Sequence, residues 1–226
     1  MMDSYYLGED YPSVKILKIP DSVRAIYSIG PNYGLESVEG MNNVKIIGKG
    51  AFAFCRFLAS ITIPKSVTEI GERAFEECES LTSITIPKGV AEIDSQTFKR
   101  CYSLRSITIP NSVTIIGPRA FQDCHSLTAV TFPNSIQKIG SYAFNECGSL
   151  ESITIPDGVT EIGEGALYGC RSLTTVIVPN SVKVMGDHVF FGCDSLKAVT
   201  IPERLYKSQV FFHYFGGFMN IEITFT

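Results

Sequence analysis

The seven cysteines are the residues here most able to do chemistry, and they stand at a constant spacing. Cys55, Cys78, Cys101, Cys124, Cys147, Cys170 and Cys193 follow one another every 23 residues. Thiolates bind metals, pair as disulfides or act as nucleophiles. A tetrahedral zinc site needs four ligands converging on a point. A column at constant spacing forms a line, so no metal is expected. Stacked parallel strands would bring neighbouring Cα atoms to about 4.8 Å, inside the disulfide window, but in-register side chains keep their Cβ atoms at that same separation, beyond the usual ~3.8 Å. The spacing predicts a row of buried free thiols that pack as small hydrophobes.

The other reactive types fall into no constellation. His125, His188 and His213 occupy different columns, with none of the spacing of a metalloprotease helix. Ser66, Ser112, Ser135 and Ser181 follow a proline in a slot that Gly89 and Gly158 also fill, which is turn chemistry rather than a nucleophile. Gly163, Gly165 and Gly169 have the wrong spacing for a dinucleotide loop. Glu76, Glu77 and Glu79 form an acidic cluster that reads as a solvated convex face. No catalytic residue, metal ligand or cofactor is predicted.

What positions these residues is a repeat. Pro64, Pro87, Pro110, Pro133, Pro156, Pro179 and Pro202 keep the 23-residue period, as do Phe52, Phe75, Phe98, Phe121, Phe144 and Phe190, with Leu167 in the gap. Leucines follow from Leu58 to Leu196 in the same step. Residues 38–198 make seven such units. Residues 1–37 are expected to form an N-terminal cap with a degenerate unit at Leu17-Lys18-Ile19-Pro20. Residues 199–226 are expected to form a C-terminal one that runs one residue short into Ile221-Glu222-Ile223-Thr224. Atypical first and last units suit a stack whose end coils have one neighbour each. The whole chain, 1–226, reads as a single solenoid.

Within a unit, Ile84-Thr85-Ile86 alternates at period two and is β-branched, which predicts a strand that ends at Pro87. Val90 and Ile93 carry the chain across the far side, where a glycine such as Gly117 breaks the run. Ala74, Phe75, Cys78 and Leu81 have the spacing of one face of a short helical turn. The expectation is an α/β repeat solenoid: a parallel sheet on a concave side and short helical turns on the other.

The unit Ser80-Leu81-Thr82-Ser83-Ile84-Thr85-Ile86-Pro87, with Val90, Ile93, Phe98 and Cys101, resembles the BspA-like type of leucine-rich repeat. The resemblance runs from about Leu17 to Thr226 and implies a right-handed leucine-rich-repeat stack. Many members of that family look like secreted or surface-attached adhesins of bacteria and some parasitic protists, similar in binding host matrix proteins or other surfaces. The resemblance therefore implies a protein or glycan ligand and an extracellular or cell-surface location. It carries over no catalytic position, because the motif residues are structural.

A binding site is expected on the outward sheet positions. The central column holds Glu39, Thr62, Thr85, Thr108, Thr131, Thr154, Ile177 and Thr200, and its threonines also make a good bare strand surface. The flanking column is Ala59, Thr82, Arg105, Thr128, Glu151, Thr174 and Lys197, which changes in size and charge from copy to copy. The candidate ligand-binding residues are Thr82, Thr85, Arg105, Thr108, Thr128, Thr131, Glu151, Thr154, Thr174 and Lys197, with Arg105, Glu151 and Lys197 as polar anchors. A second candidate is the aromatic residues at the ends, Tyr5, Tyr6, Tyr11, Tyr27 and Tyr33 and then Phe211, Phe212, Tyr214, Phe215 and Phe218. They read first as caps over the open core.

Composition narrows the partners. A formal net charge of −4 without a basic run argues against nucleic acid. The most apolar stretch, Val210 to Met219, is too short to span a bilayer and contains His213, so no membrane insertion is expected. Met1-Met2-Asp3-Ser4 has neither a basic region nor an apolar run behind it, which predicts no secretory leader and leaves an intracellular location open. The chain is expected to be a monomer. Two functions remain: a ligand-binding scaffold, or a spacer within a larger surface protein.

Overall fold

The computed structural model describes residues 4–6, 14–206 and 221–226. The chain winds into a parallel-strand solenoid of about eight turns. One ladder is built from the Ile-Thr-Ile segments: β2 (Ile16–Lys18), β4 (Ser37–Glu39), β7 (Ser83–Thr85), β9 (Ser106–Thr108), β11 (Ala129–Val130), β13 (Ser152–Ile153), β15 (Thr175–Ile177), β17 (Ala198–Ile201) and β18 (Glu222–Phe225). A second ladder, which the repeat pattern left as a plain extended crossing, holds β1 (Ser4–Tyr6), β3 (Ala25–Ser28), β5 (Ile46–Ile47), β6 (Glu69–Ile70), β8 (Glu92–Ile93), β10 (Ile115–Ile116), β12 (Lys138–Ile139), β14 (Glu161–Ile162) and β16 (Val184–Met185). Among the described residues every pairing is parallel, and those between the regular units keep the 23-residue register, as Ile84 with Ile107 and Ile116 with Ile139. A single-turn helix, α1 (Glu203–Tyr206), follows Pro202.

The core runs the length of the stack, because the framework columns point inward in each coil. Phe52, Phe75, Phe98, Phe121 and Phe144 are fully buried and stack ring on ring, with centroids 5.1–5.5 Å apart. Leu167 interrupts the pile, and Phe132 packs edge-on against Phe144 at 5.7 Å. Burying one such ring is worth roughly 1.5–3 kcal/mol. That is too little to close an isolated coil, so each coil depends on its neighbours.

The expected helical turns are absent, and the hydrogen bonds say why. The N–H groups of Arg73, Phe75 and Glu77 donate to the carbonyls of Ser95, Thr97 and Lys99 in the next coil, at 3.0, 2.9 and 2.8 Å. Those of the alternating residues Ala74, Glu76 and Cys78 close three-residue turns on Gly71, Arg73 and Phe75. A helix would spend all these donors within its own coil. Here every second one binds the neighbouring coil, and buried backbone groups find partners either way. The left-handed residues confirm the departure. Arg73, Gln96, Arg119, Tyr142 and His188 form one column of positive φ, completed by Gly50 and Gly165. Phe54, Glu77, Arg100, Asp123 and Glu146 form another four residues on, completed by Gly169 and Gly192. An α-helix does not survive two left-handed residues in five.

The last strand pairs Val199 with Ile223 and Thr200 with Thr224, so the final unit is one residue long, not short. That register sets Ile223 and Phe225 beside the inward Val199 and Ile201, and places hydroxyl beside hydroxyl. The corner glycines serve close approach: a Cβ on Gly163 would lie 2.3 Å from the Ser141 nitrogen of the preceding coil. His213, the segment from Val210 to Met219, Tyr11 and the C-terminal aromatics lie outside the described residues, as do the side chains of Tyr5 and Tyr6.

Candidate ligand-binding face

The sequence candidates share one face. Thr82, Thr85, Arg105, Thr108, Thr128, Thr131, Glu151, Thr154, Thr174 and Lys197 are all exposed. Thr85 pairs in register with Thr108, and Thr108 with Thr131. The flanking residues are linked coil to coil through the backbone: Arg105 N–H to Thr82 O at 2.9 Å, Glu151 N–H to Thr128 O at 3.0 Å and Lys197 N–H to Thr174 O at 2.9 Å. Among the described residues, Arg105, Glu151 and Lys197 make no ion pair, so their charges are available to a ligand. Cross-strand hydroxyl contact occurs between Thr200 and Thr224, whose oxygens lie 2.7 Å apart.

The strand begins one residue later than the flanking column. Ser83 is its first residue, so the outward alternation is Ser83 and Thr85, with Ile84 and Ile86 inward. Ser60, Ser83, Ser106 and Ser152 are therefore exposed on the same face. Sequence reading missed this serine column, although strict period two counted back from Ile84 marks it. The face is rich in hydroxyls, and its largest apolar break is Ile177, which is 64% exposed in a column of threonines.

Two open grooves cut this face. One involves Ser60 to Ile63, Lys65, Ser83 to Lys88 and Thr108, and the other involves Ser152 to Ile155, Asp157, Thr175, Ile177 to Ser181 and Thr226. Both lie where the ladder is interrupted. Ser60–Ile63 pairs with neither β4 nor β7, and β13 does not pair with β15.

The cysteine column offers no reactive group. All seven thiols are free and buried. Burial pushes their titration up, to about 12 for Cys55 and Cys193 and well above the ordinary value for Cys78, Cys124 and Cys170. A nucleophile or metal ligand must be a thiolate. From Cys78 onward, each thiol instead donates to the carbonyl of the framework residue 26 positions earlier. Cys101 Sγ to Phe75 O is 3.2 Å, and Cys193 Sγ to Leu167 O is 3.2 Å.

The acidic cluster is not a solvated face. Glu76 and Glu77 are buried. Glu77 bridges Arg56 at 2.9 Å and Arg100 at 2.8 Å, while Glu76 takes Lys99 at 3.0 Å. Partners one coil away supply the countercharge that permits this burial, a relation invisible to a local count of charges. Burial alone would raise the Glu77 carboxyl. The hydrogen bonds and charges of Arg100 and Arg56 outweigh it and hold the group below its ordinary range. His125 is exposed, stacks on Tyr102 at 5.2 Å and places Nδ1 2.9 Å from Glu146 O.

Comparison with known proteins agrees with this architecture. A model of the BspA type leucine-rich repeat region matches residues 31–128 and 92–216, with six copies. A leucine-rich repeat protein of Treponema pallidum is 34% identical over 80% of this chain and 78% of its own, with a TM-score of 0.67. One from Bacteroides ovatus is 27% identical with a TM-score of 0.73, over 93% of this chain and 61% of its own. The chain thus spans less than two thirds of the latter's length. The pneumococcal vaccine antigen PcpA shares the fold at 19% identity, with a TM-score of 0.53 over 99% of this chain and 83% of its own. No functionally curated protein matches the chain.

Proposed function

Since the chain belongs to the BspA-type leucine-rich repeat family, we propose that it is a non-enzymatic scaffold that recognises a protein or glycan through its threonine face, at a cell surface. The observation that carries this reading is the contrast between columns. Framework positions scarcely change over the stack, while the exposed flanking column runs Thr82, Arg105, Thr128, Glu151, Thr174, Lys197 without internal ion pairing. Elsewhere many charges pair coil to coil, as in Lys15–Glu36, Lys49–Glu72 and Lys138–Glu161. Unpaired charges on a hydroxyl-rich surface suit an external polar partner. The surface location follows the family resemblance. No helix among the described residues is long and apolar enough to cross a membrane.

The thiols lack the thiolate character that nucleophilic chemistry requires, and no group of three His, Cys, Asp or Glu side chains among the described residues gathers as a metal site. A second reading, a spacer with no ligand of its own, draws on the uniform threonine column. The test is an array of matrix proteins, mucins and glycans, with hits repeated on Arg105→Glu, Glu151→Lys and Lys197→Glu. Hits weakened by these reversals support the scaffold. A clean array from folded protein supports the spacer.

A further inference from the structure

Two unpaired cations stand on adjacent coils beside the candidate face. Lys65 and Lys88 occupy the same column on adjacent coils, both exposed, and neither is in an ion pair among the described residues. Cations set at the same position of neighbouring coils repel one another. The pairs elsewhere on the molecule show that this repeat readily sets a carboxylate beside a cation. Later coils carry Asn111, Asn134, Asp157 and Asn180 at this position, so the fold does not require lysine there.

Both lysines involve the groove at Ser60–Ile63, where the ladder is open on both sides. In the regular coils that follow, the inward isoleucines are buried, as Ile84, Ile86, Ile107 and Ile109 are. Ile61 and Ile63 remain half-buried, and no backbone hydrogen bond of theirs occurs among the described residues. Ser60, Thr62, Ser83 and Thr85 present hydroxyls around this apolar floor. The groove thus combines aliphatic surface for the C–H face of a sugar ring, paired donors and acceptors for its hydroxyls, and two cations for an acidic substituent. An extended acidic peptide fits less well. A strand needs a sheet edge to join, whereas this opening lies between successive coils of the stack. The second groove has similar walls but carries Asp157 and Asn180 in place of the lysines, which gives the face an internal contrast.

We propose that the Lys65/Lys88 groove binds an anionic sugar, a carboxylate- or sulfate-bearing glycan. This rests on the reading that the threonine face is the ligand face. The test is titration of the whole chain with a hyaluronan fragment, a heparin fragment, neutral dextran and polyglutamate. The variants are Lys65→Glu, Lys88→Glu and the double reversal, with Lys183→Glu on the opposite ladder as an equal charge change. One or both anionic sugars should bind, more tightly than dextran and polyglutamate, and more weakly as salt rises. Each single reversal should weaken that binding tenfold or more, and Lys183→Glu should leave it within twofold. Binding of hyaluronan alone identifies the carboxylate as the group recognised, and of heparin alone the sulfate. Polyglutamate binding as tightly as either sugar, or sugar binding that survives the double reversal, overturns the proposal. If neither sugar binds but another array hit is lost in Arg105→Glu, this inference fails and the broader reading stands. If nothing binds the folded protein, both fail.

Discussion

Cys101 Sγ lies 3.2 Å from the carbonyl oxygen of Phe75, which also accepts the N–H of Cys78 at 3.2 Å. One buried carbonyl thus takes a bond from its own coil and another from the next, and the thiol joins two coils while filling a small apolar site. Cys101→Ala should cost about 2 kcal/mol, from the cavity and the lost bond. Cys101→Ser should cost less, because its hydroxyl can donate to the same carbonyl. Chemical denaturation reads both, and the reverse order would show that the thiol is only filler. Cys124→Asp should cost far more than Thr131→Asp, since the first buries an unpaired charge and the second leaves it in water.

Three glycine-to-alanine changes separate the reasons for glycine. Gly163→Ala should be the most damaging, because its Cβ would stand 2.3 Å from the Ser141 nitrogen and the coils must part. Gly50→Ala meets no close atom but fixes an alanine at φ +62°, which should cost about 1 kcal/mol. Gly148→Ala meets nothing within 4 Å and should be neutral or stabilising by about 0.4–1 kcal/mol. Melting temperatures should rank in that order.

Glu77 holds Arg56 and Arg100 together across three coils. Its carboxyl titrates below the ordinary 4.5 in the folded protein. The stability it contributes is therefore present above the unfolded value and is lost as pH falls through the lower, folded one. Glu77→Gln should destabilise the protein by about 2 kcal/mol at pH 7, and the gap from the parent should narrow as pH falls below about 4.5. A gap independent of pH would mean that charge is not what Glu77 supplies.

The stack, its period, its inward columns and the outward candidates were legible because a solenoid repeats each decision. Ile84, Phe98 and Cys101 recur until chance is excluded. What failed depended on relations between coils. Ala74, Phe75 and Cys78 have helical spacing, yet alternate N–H groups bind the next coil, and no local pattern reports that. Glu76 and Glu77 look solvated until Arg56, Lys99 and Arg100, about 21–23 residues away, come alongside. The second ladder escaped because two-residue strands such as Ile115–Ile116 are too short to show alternation. The exposure of the candidate residues was legible one by one, while the serine column and the grooves follow from where the strands begin and where they part.

The most direct test of a ligand face is to obstruct it without unfolding the stack. Thr131→Arg puts a long cation in the middle of the threonine column, and Thr160→Arg puts the same side chain on the exposed side of the opposite ladder. Both positions are exposed, so both variants should melt like the parent. Binding to a ligand identified on the array should fall at least tenfold in Thr131→Arg and stay unchanged in Thr160→Arg. Loss in Thr160→Arg with full binding in Thr131→Arg would place recognition on the other side of the solenoid and contradict the account.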